Sequence, residues 1–262
     1  MEFSFFDVHS HIQDKAFDTD RAEVILRMKE KGIGSIVAGC DPEMNEGAVA
    51  LAEAHDFLWA TVGLHPVEGS VLPYDGDTLR RLAEHPKVVA IGETGLDYFH
   101  ITDPEKREAQ KDLFETQIHL AEDVGKPLMI HIRPSKGSRA DAYWDALLLL
   151  DQFPKAKGNI HFFAGDPKVA EEYLKRGFTL SLTGVLTFAR EYDEVVKNAP
   201  LEMILSETDC PYVAPAPYRG KRNEPLYVEE VVKKIAEIRG EDVEAVGRAM
   251  VENAIRVFGL KG

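Results

Sequence analysis

The chain has 262 residues, 44% of them hydrophobic, with 45 acidic against 31 basic side chains and a formal net charge of -14. That length suits one α/β barrel of about 250 residues as a single domain over 1-262, and the charge excludes sequence-blind coating of nucleic acid, which needs a basic face to displace counterions. Two cysteines, Cys40 and Cys210, exclude a disulfide framework and a thiolate zinc motif, so any metal should use histidine and carboxylate in a reducing, cytoplasmic setting.

The first stretch, Phe3-Ser4-Phe5-Phe6-Asp7-Val8-His9-Ser10-His11, is an apolar run ending in two histidines one residue apart. Side chains at i and i+2 of a strand project to one face, so both imidazoles can converge on one ion. Asp18-Thr19-Asp20 reads as a helix start, with apolar residues at helical spacing to Lys31 and a stop at Gly32. Ile33 to Ala38 is a strand, Pro42 to Ala54 a helix, and Leu58 to Val62 a strand. The alternation continues with a helix near Asp77 to Glu84, a strand at Val88 to Ile91, and a long helix from Pro104 to Val124 that Gly125-Lys126-Pro127 ends. Pro127 to Ile132, Gly158 to Phe163 and Phe178 to Leu182 are strands, separated by helices over Ala140 to Leu150 and Pro167 to Lys175. A helix over Arg190 to Lys197, a short strand from Met203 to Ser206, a Pro-rich loop from Pro211 to Pro225 and helices near Leu226 to Ile238 and Asp242 to Phe258 finish the chain.

About eight strand-then-helix units with near-continuously apolar strands, such as Val88-Val89-Ala90-Ile91, predict a parallel sheet buried on both faces, a (β/α)8 TIM barrel. A doubly wound open sheet is the alternative, because alternation alone does not distinguish it from a closed barrel. No stretch approaches the ~20 apolar residues of a membrane span, and Met1-Glu2-Phe3 lacks the basic region of a signal peptide.

The polar residues fall at strand ends. His9 and His11 close the first strand, His65 follows the third, Glu93 the fourth, His131 the fifth, His161 closes the sixth, and Glu207-Thr208-Asp209 follows the eighth. In a barrel these ends meet at one face. Each residue alone reads as a satisfied core histidine or a helix cap, but together they would be costly to bury without a common cation. Four imidazoles and two carboxylates exceed the three protein ligands of an open catalytic zinc site, so two divalent ions are expected, with Zn, Mn or Mg all compatible. His55, His85, His100 and His119 fall in predicted helices or outer loops and are left outside the cluster.

These stretches resemble the TatD family of metal-dependent deoxyribonucleases. The resemblance rests on Asp7-Val8-His9-Ser10-His11, Gly63-Leu64-His65-Pro66, Ile91-Gly92-Glu93-Thr94-Gly95-Leu96-Asp97-Tyr98, His131-Ile132-Arg133, His161-Phe162-Phe163, Glu207-Thr208-Asp209-Cys210-Pro211 and Arg219-Gly220-Lys221-Arg222-Asn223-Glu224-Pro225. It implies a TIM barrel of the amidohydrolase superfamily, with His9, His11, Glu93, His131, His161 and Asp209 as metal ligands. Phe162 stands where the family often has Cys and is expected to pack below the ligand.

The expected chemistry is hydrolysis of a phosphodiester by a metal-activated water. His9, His11 and Asp209 would hold one ion and His131 with His161 the other, with Glu93 bridging and Glu93 or Asp209 steering the proton. Arg133 points the same way as His131 and suits phosphate oxygens, and His65 can donate to a phosphate or support a ligand. Tyr98, Arg219 and Asn223 are expected on loops overhanging the site, where a ring could stack a base. The preferred substrate is a DNA end cut from the 3′ side, a polarity that comes from the family resemblance. Hydrolysis of a small amide, lactone or phosphoester is the alternative, and a binding protein with structural metals a third. Oligomeric state is open.

Overall fold

The computed structural model describes residues 3–67 and 75–260. Its strands are β1 (Phe5–Ser10), β2 (Ile33–Ala38), β3 (Leu58–Val62), β4 (Val88–Asp97), β5 (Leu128–Arg133), β6 (Gly158–His161), β7 (Thr179–Leu182) and β8 (Ile204–Ser206). All pair in parallel and in chain order. The two ends of this sheet meet: Ser10 bridges Cys210, His11 N donates to Cys210 O, and Asp209 N donates to His9 O. That contact makes the sheet a (β/α)8 barrel, and an open doubly wound sheet is excluded.

Helices α1 (Arg21–Glu30), α2 (Pro42–Ala54), α3 (Gly76–Ala83), α4 (Pro104–Val124), α5 (Asp141–Leu150), α6 (Pro167–Lys175), α7 (Asp193–Asn198), α8 (Val228–Arg239) and α9 (Val243–Phe258) follow the strands. Three of them begin with the same local code, an Asp cap followed by Pro: Asp41-Pro42, Asp103-Pro104 and Asp166-Pro167. In each the carboxylate accepts from backbone N–H groups of the first turn that have no intrahelical partner, while the proline fixes a helical φ where its missing N–H costs nothing. None of the described helices is long and apolar enough to cross a membrane.

The end of the barrel away from the strand C-termini is filled by Phe6, Ile36, Trp59, Met129 and Leu205 and packed against Val251, Ala254 and Phe258 of α9. Phe6 and Trp59 lie 5.7 Å apart between ring centroids. This apolar floor leaves the opposite end to polar groups.

Two departures from the predicted elements matter. β4 continues six residues beyond Ile91 because its partner β5 continues beside it to the Asp97–Arg133 pair, so Glu93 lies inside a strand. The expected helix over Arg190 to Lys197 divides into a 3-10 turn, Arg190–Tyr192, and α7, since only Val195 and Val196 there find buried positions.

Two irregularities aim the site. Between Asp7 and Ser10, β1 advances three residues while β2 advances two, from Ser35 to Val37. Between Ile91 and Thr94, β4 does the same against Leu128 and Ile130 of β5. An extra residue on one strand switches which side chains face inward beyond it. Both bulges sit where His9 and Glu93 turn into the barrel mouth.

Candidate metal centre

The strand ends assemble a cavity of about 1030 Å³. His11, just beyond β1, lines it, and His9 on β1 is buried behind, with their Nε2 atoms 3.1 Å apart. Asp209 faces them from beyond β8, with Oδ1 3.4 Å from His11 Nε2 and 3.8 Å from His9 Nε2. Asp209 has a φ of 54°, a left-handed conformation that Asp tolerates better than most residues, and its N–H is tied to His9 O.

Glu93 stands at the centre. Its Oε2 is 3.3 Å from His9 Nε2 and 3.7 Å from His11 Nε2, whereas its Oε1 faces the other side. There it is 2.8 Å from His131 Nδ1 and 3.6 Å from the Nε2 atoms of both His161 and His65. The rings of His9 and His161 stack at 3.5 Å. Burial alone would push the Glu93 carboxyl up, but the imidazoles of His161, His65, His131 and His9 reverse this and hold it well below the usual carboxylate range. Burial likewise opposes ionisation of Asp209, and His11, His161 and His9 bring its carboxyl below the ordinary value. The buried Glu93 and the partly buried Asp209 thus stay ionised against converging imidazoles.

The close approach of β4 to β5 depends on glycine. At Gly95 φ is +140°, and a Cβ would fall 2.0 Å from the carbonyl oxygen of His131. Only a residue without a side chain lets the Glu93 strand run this near the His131 strand.

Behind the converging groups stand partners that the sequence reading did not assign. Asp97 Oδ2 lies 3.1 Å from His131 Nε2 and 2.9 Å from His100 Nδ1. Burial opposes its ionisation, yet those contacts keep its carboxyl far below the usual range, and they push His131 up to about 9 despite burial. Glu207, fully buried, accepts from Phe162 N (2.6 Å) and Ser181 Oγ (2.5 Å), and its Oε1 lies 2.9 Å from His161 Nδ1, off the line of an ideal hydrogen bond. The buried Asp7 accepts from Thr208 N and Thr208 Oγ1 and so ties β1 to the Asp209 turn. Spacing marked Asp97 and Glu207 only as motif neighbours. The signal that could have found them is chemical, since a ligating histidine needs its second nitrogen oriented by a carboxylate or carbonyl. His100 also belongs here rather than on an outer loop, because it lines the cavity.

Cys40 enters the site as well. Its thiol lies 3.4 Å from Glu93 Oε2, and burial pushes it up to about 12, so it faces the carboxylate as a neutral donor. Phe162 lines the cavity instead of packing below His161, because its backbone φ of 46° turns it outward.

The other expected contacts divide. His65 and Arg133 line the cavity. Tyr98 does not overhang it: the ring is buried and its hydroxyl donates to Asp145 Oδ2 at 2.7 Å, with the Arg107 guanidinium stacked on its face. Asn223 is also buried, donating to Thr208 O and Tyr212 O, where it shapes the Asp209 turn. Arg219 donates to Ala214 O and covers Phe188, away from the cavity wall. In all three a backbone or carboxylate acceptor, or an apolar ring, inside the protein takes the side chain that the loop position suggested for substrate.

The residues fit divalent cations. Among the described residues, four groups of three ligand atoms lie within 4.8 Å of one another: His9, Glu93 and His161; His9, His11 and Asp209; His11, Cys40 and Glu93; His65, Asp97 and His131. Imidazole nitrogens 3.1 Å apart, facing ionised carboxylates, form a donor set suited to Zn, Mn or Mg.

The profile of the family described as TatD related DNase matches residues 6–259. The chain belongs to the TatD family. It is a metal-dependent hydrolase of the kind that acts on ester bonds. Among TatD-family relatives, an uncharacterized metal-dependent hydrolase of Bacillus subtilis, YabD, is 41% identical over 259 residues, covering 97% of this chain and 98% of that protein. A protein of Pantoea ananatis named 3′-5′ ssDNA/RNA exonuclease TatD is 34% identical over 267 residues, covering 97% and 99%. The crystal structure of YJJV, a TatD homologue of Escherichia coli K12, superposes with a TM-score of 0.85 at 27% identity over the full length of both chains.

Proposed function

We propose that this TatD-family enzyme is a phosphodiesterase that removes nucleotides from the 3′ end of DNA with two divalent ions, the whole chain serving as one cytoplasmic catalytic domain. The observation that carries the reading is the placement of the two Glu93 oxygens, Oε2 toward His9 and His11 and Oε1 toward His131 and His161. A carboxylate so placed serves two ligand groups at once. His9, His11 and Asp209 would hold one ion, His131 and His161 the other, and Glu93 both. Relatives bearing an exonuclease name support the substrate class.

When bound, such ions lower the pKa of water to about 7 and offset charge on the phosphoryl and leaving oxygens. The chain's own groups do the rest. The Asp209 carboxylate, ionised at neutral pH, accepts the proton of the attacking water on the oxygen it does not turn to His9 and His11, and Glu93 keeps the facing imidazoles in register. Asp97 and Glu207 fix the rings of His131 and His161 from behind. Arg133, exposed on the cavity wall, neutralises a phosphate oxygen, and His65 donates to a second one.

The test is incubation of the Mn²⁺- or Mg²⁺-loaded enzyme with single-stranded DNA labelled at either end. Stepwise shortening from the 3′ end supports the proposal. Inertness toward DNA, with turnover of a small amide, lactone or phosphoester, replaces it with the wider superfamily chemistry.

A further inference from the structure

Phe99 and Tyr212 are large rings left in solvent, 42% and 55% exposed. Phe99 follows β4 and Tyr212 follows β8, strands that lie four places apart in a ring of eight. Their loops therefore lie on opposite sides of the mouth: Tyr212 and Arg133 line the cavity, and Phe99 stands at its rim under Arg133 and beside the cavity-lining His100, 5.1 Å between ring centroids. Tyr212 lies 6.4 Å from His11 between ring centroids, and its backbone is pinned by Asn223 Nδ2 at 2.6 Å and by its own N–H to Asp209 O. Opposite it, the Arg133 guanidinium is held 4.3 Å over the Phe99 ring. Among the described residues Arg133 makes no ion pair, in a chain with 45 acidic side chains that pair many of its cations.

An unpaired guanidinium stacked on a ring, and a second ring on a fixed backbone opposite it, are the two components that hold an unpaired nucleotide chain: a cation for the phosphate and aromatic faces for the bases. We infer that Tyr212 and the Arg133–Phe99 pair form a two-sided clamp that stacks the bases flanking the scissile phosphate of a single-stranded polynucleotide. The inference rests on the proposed phosphodiesterase activity. It adds the residues that select strand state and minimum chain length. Bases paired in a duplex have both faces covered by their neighbours and cannot enter between the rings. Stacking on one aromatic side chain contributes about 1–3 kcal/mol per base, or about 5- to 150-fold in affinity.

Binding of metal-loaded enzyme to fluorescent single-stranded hexadeoxyadenylate with cleavage-resistant phosphorothioate linkages tests the clamp apart from hydrolysis. The same strand is also used with an abasic spacer at each of its last three 3′ positions. Removing one base should weaken binding to the wild type about 5- to 150-fold, and Tyr212→Ala or Phe99→Ala should weaken the intact strand by a similar factor. The two losses should not add, because ring and base are one contact. Tyr212→Phe, which keeps the ring, should bind as the wild type does. Equal affinity for intact and abasic strands, full affinity in both alanine variants, or no binding by the wild type would overturn the clamp. Intact clamp behaviour without cleavage of ordinary phosphodiester strands would leave the clamp standing and remove the proposed activity.

Discussion

Replacing Glu207 by Gln keeps the side-chain volume and removes one buried negative charge behind His161. Three donors converge on this carboxylate: Phe162 N–H and the Nδ1 side of His161 on Oε1, and Ser181 Oγ on Oε2. Gln supplies one acceptor oxygen, which can serve the first two, and turns an NH2 toward Ser181. Ser181 can rotate to accept it, since Asn159 Nδ2 already donates to the same hydroxyl at 2.6 Å and Ile160 O lies 3.4 Å away as an alternative acceptor. The fold should therefore survive, whereas Glu207→Ala leaves the Phe162 N–H without its acceptor. What is lost is the charge-assisted share of the contact to His161, about 1–2 kcal/mol beyond a neutral hydrogen bond. Outer-sphere carboxylates of this kind change metal affinity by about 10- to 100-fold. Competition titration of Zn²⁺ or Mn²⁺ against a chromophoric chelator should show one of the two proposed sites weakened by that factor, with an unchanged melting profile in excess EDTA. Affinity within twofold of wild type at both sites would refute the role assigned to Glu207.

Glu93→Ala should abolish metal loading and turnover together, measured by elemental analysis of the purified protein and by the end-label assay; full activity in this variant would remove Glu93 from the centre. Gly95→Ala should destabilise the protein by about 2–4 kcal/mol and lower metal occupancy, because the new Cβ must displace the His131 carbonyl and separate β4 from β5; an unchanged thermal midpoint would contradict that contact. Asp20 receives two hydrogen bonds from Arg222, at 2.7 and 2.6 Å, and these pull its carboxyl below the ordinary value. A depressed folded-state pKa contributes stability that is complete above the unfolded value near 4 and is lost as pH falls through the folded one. Melting of Asp20→Asn should then trail wild type by up to about 1 kcal/mol at pH 5 to 7 and converge with it near pH 2; a constant gap across that range would sink the assignment.

Legibility in the sequence followed how locally each feature is encoded. The barrel could be read from apolar runs of five or six residues such as Ile33 to Ala38, because a strand buried on both faces leaves a period-free signature, and the helices expected from Pro42, Pro104 and Pro167 begin at those residues. His9, His11, Glu93, His131, His161 and Asp209 were visible because a parallel barrel turns positions at strand ends into neighbours, and the structure does bring all six together. The bulges in β1 and β4 were not visible, since an extra residue in a strand is defined only against its partner's register. Tyr98 and Asn223 were misplaced for a related reason: a loop position says nothing about which way the side chain turns. Asp145, 47 residues after Tyr98, decides the first, and Thr208 O with Tyr212 O decides the second. Phe99, next to Tyr98, is the ring left in solvent.

The join between the first and last strands has a consequence for how the molecule holds its shape. His9 and His11 lie on one side of that join and Asp209 on the other, and Asp7 reaches across it to Thr208, a partner 201 residues away along the chain. Contacts so distant in sequence close the largest loop available and are expected to be late in folding. A cation shared by these three ligands would therefore work as a removable rivet at the seam of a stave-built cask. Deuterium uptake at His11 N–H and Asp209 N–H, the two backbone bonds of the join, should rise on chelation before any other part of the sheet begins to exchange.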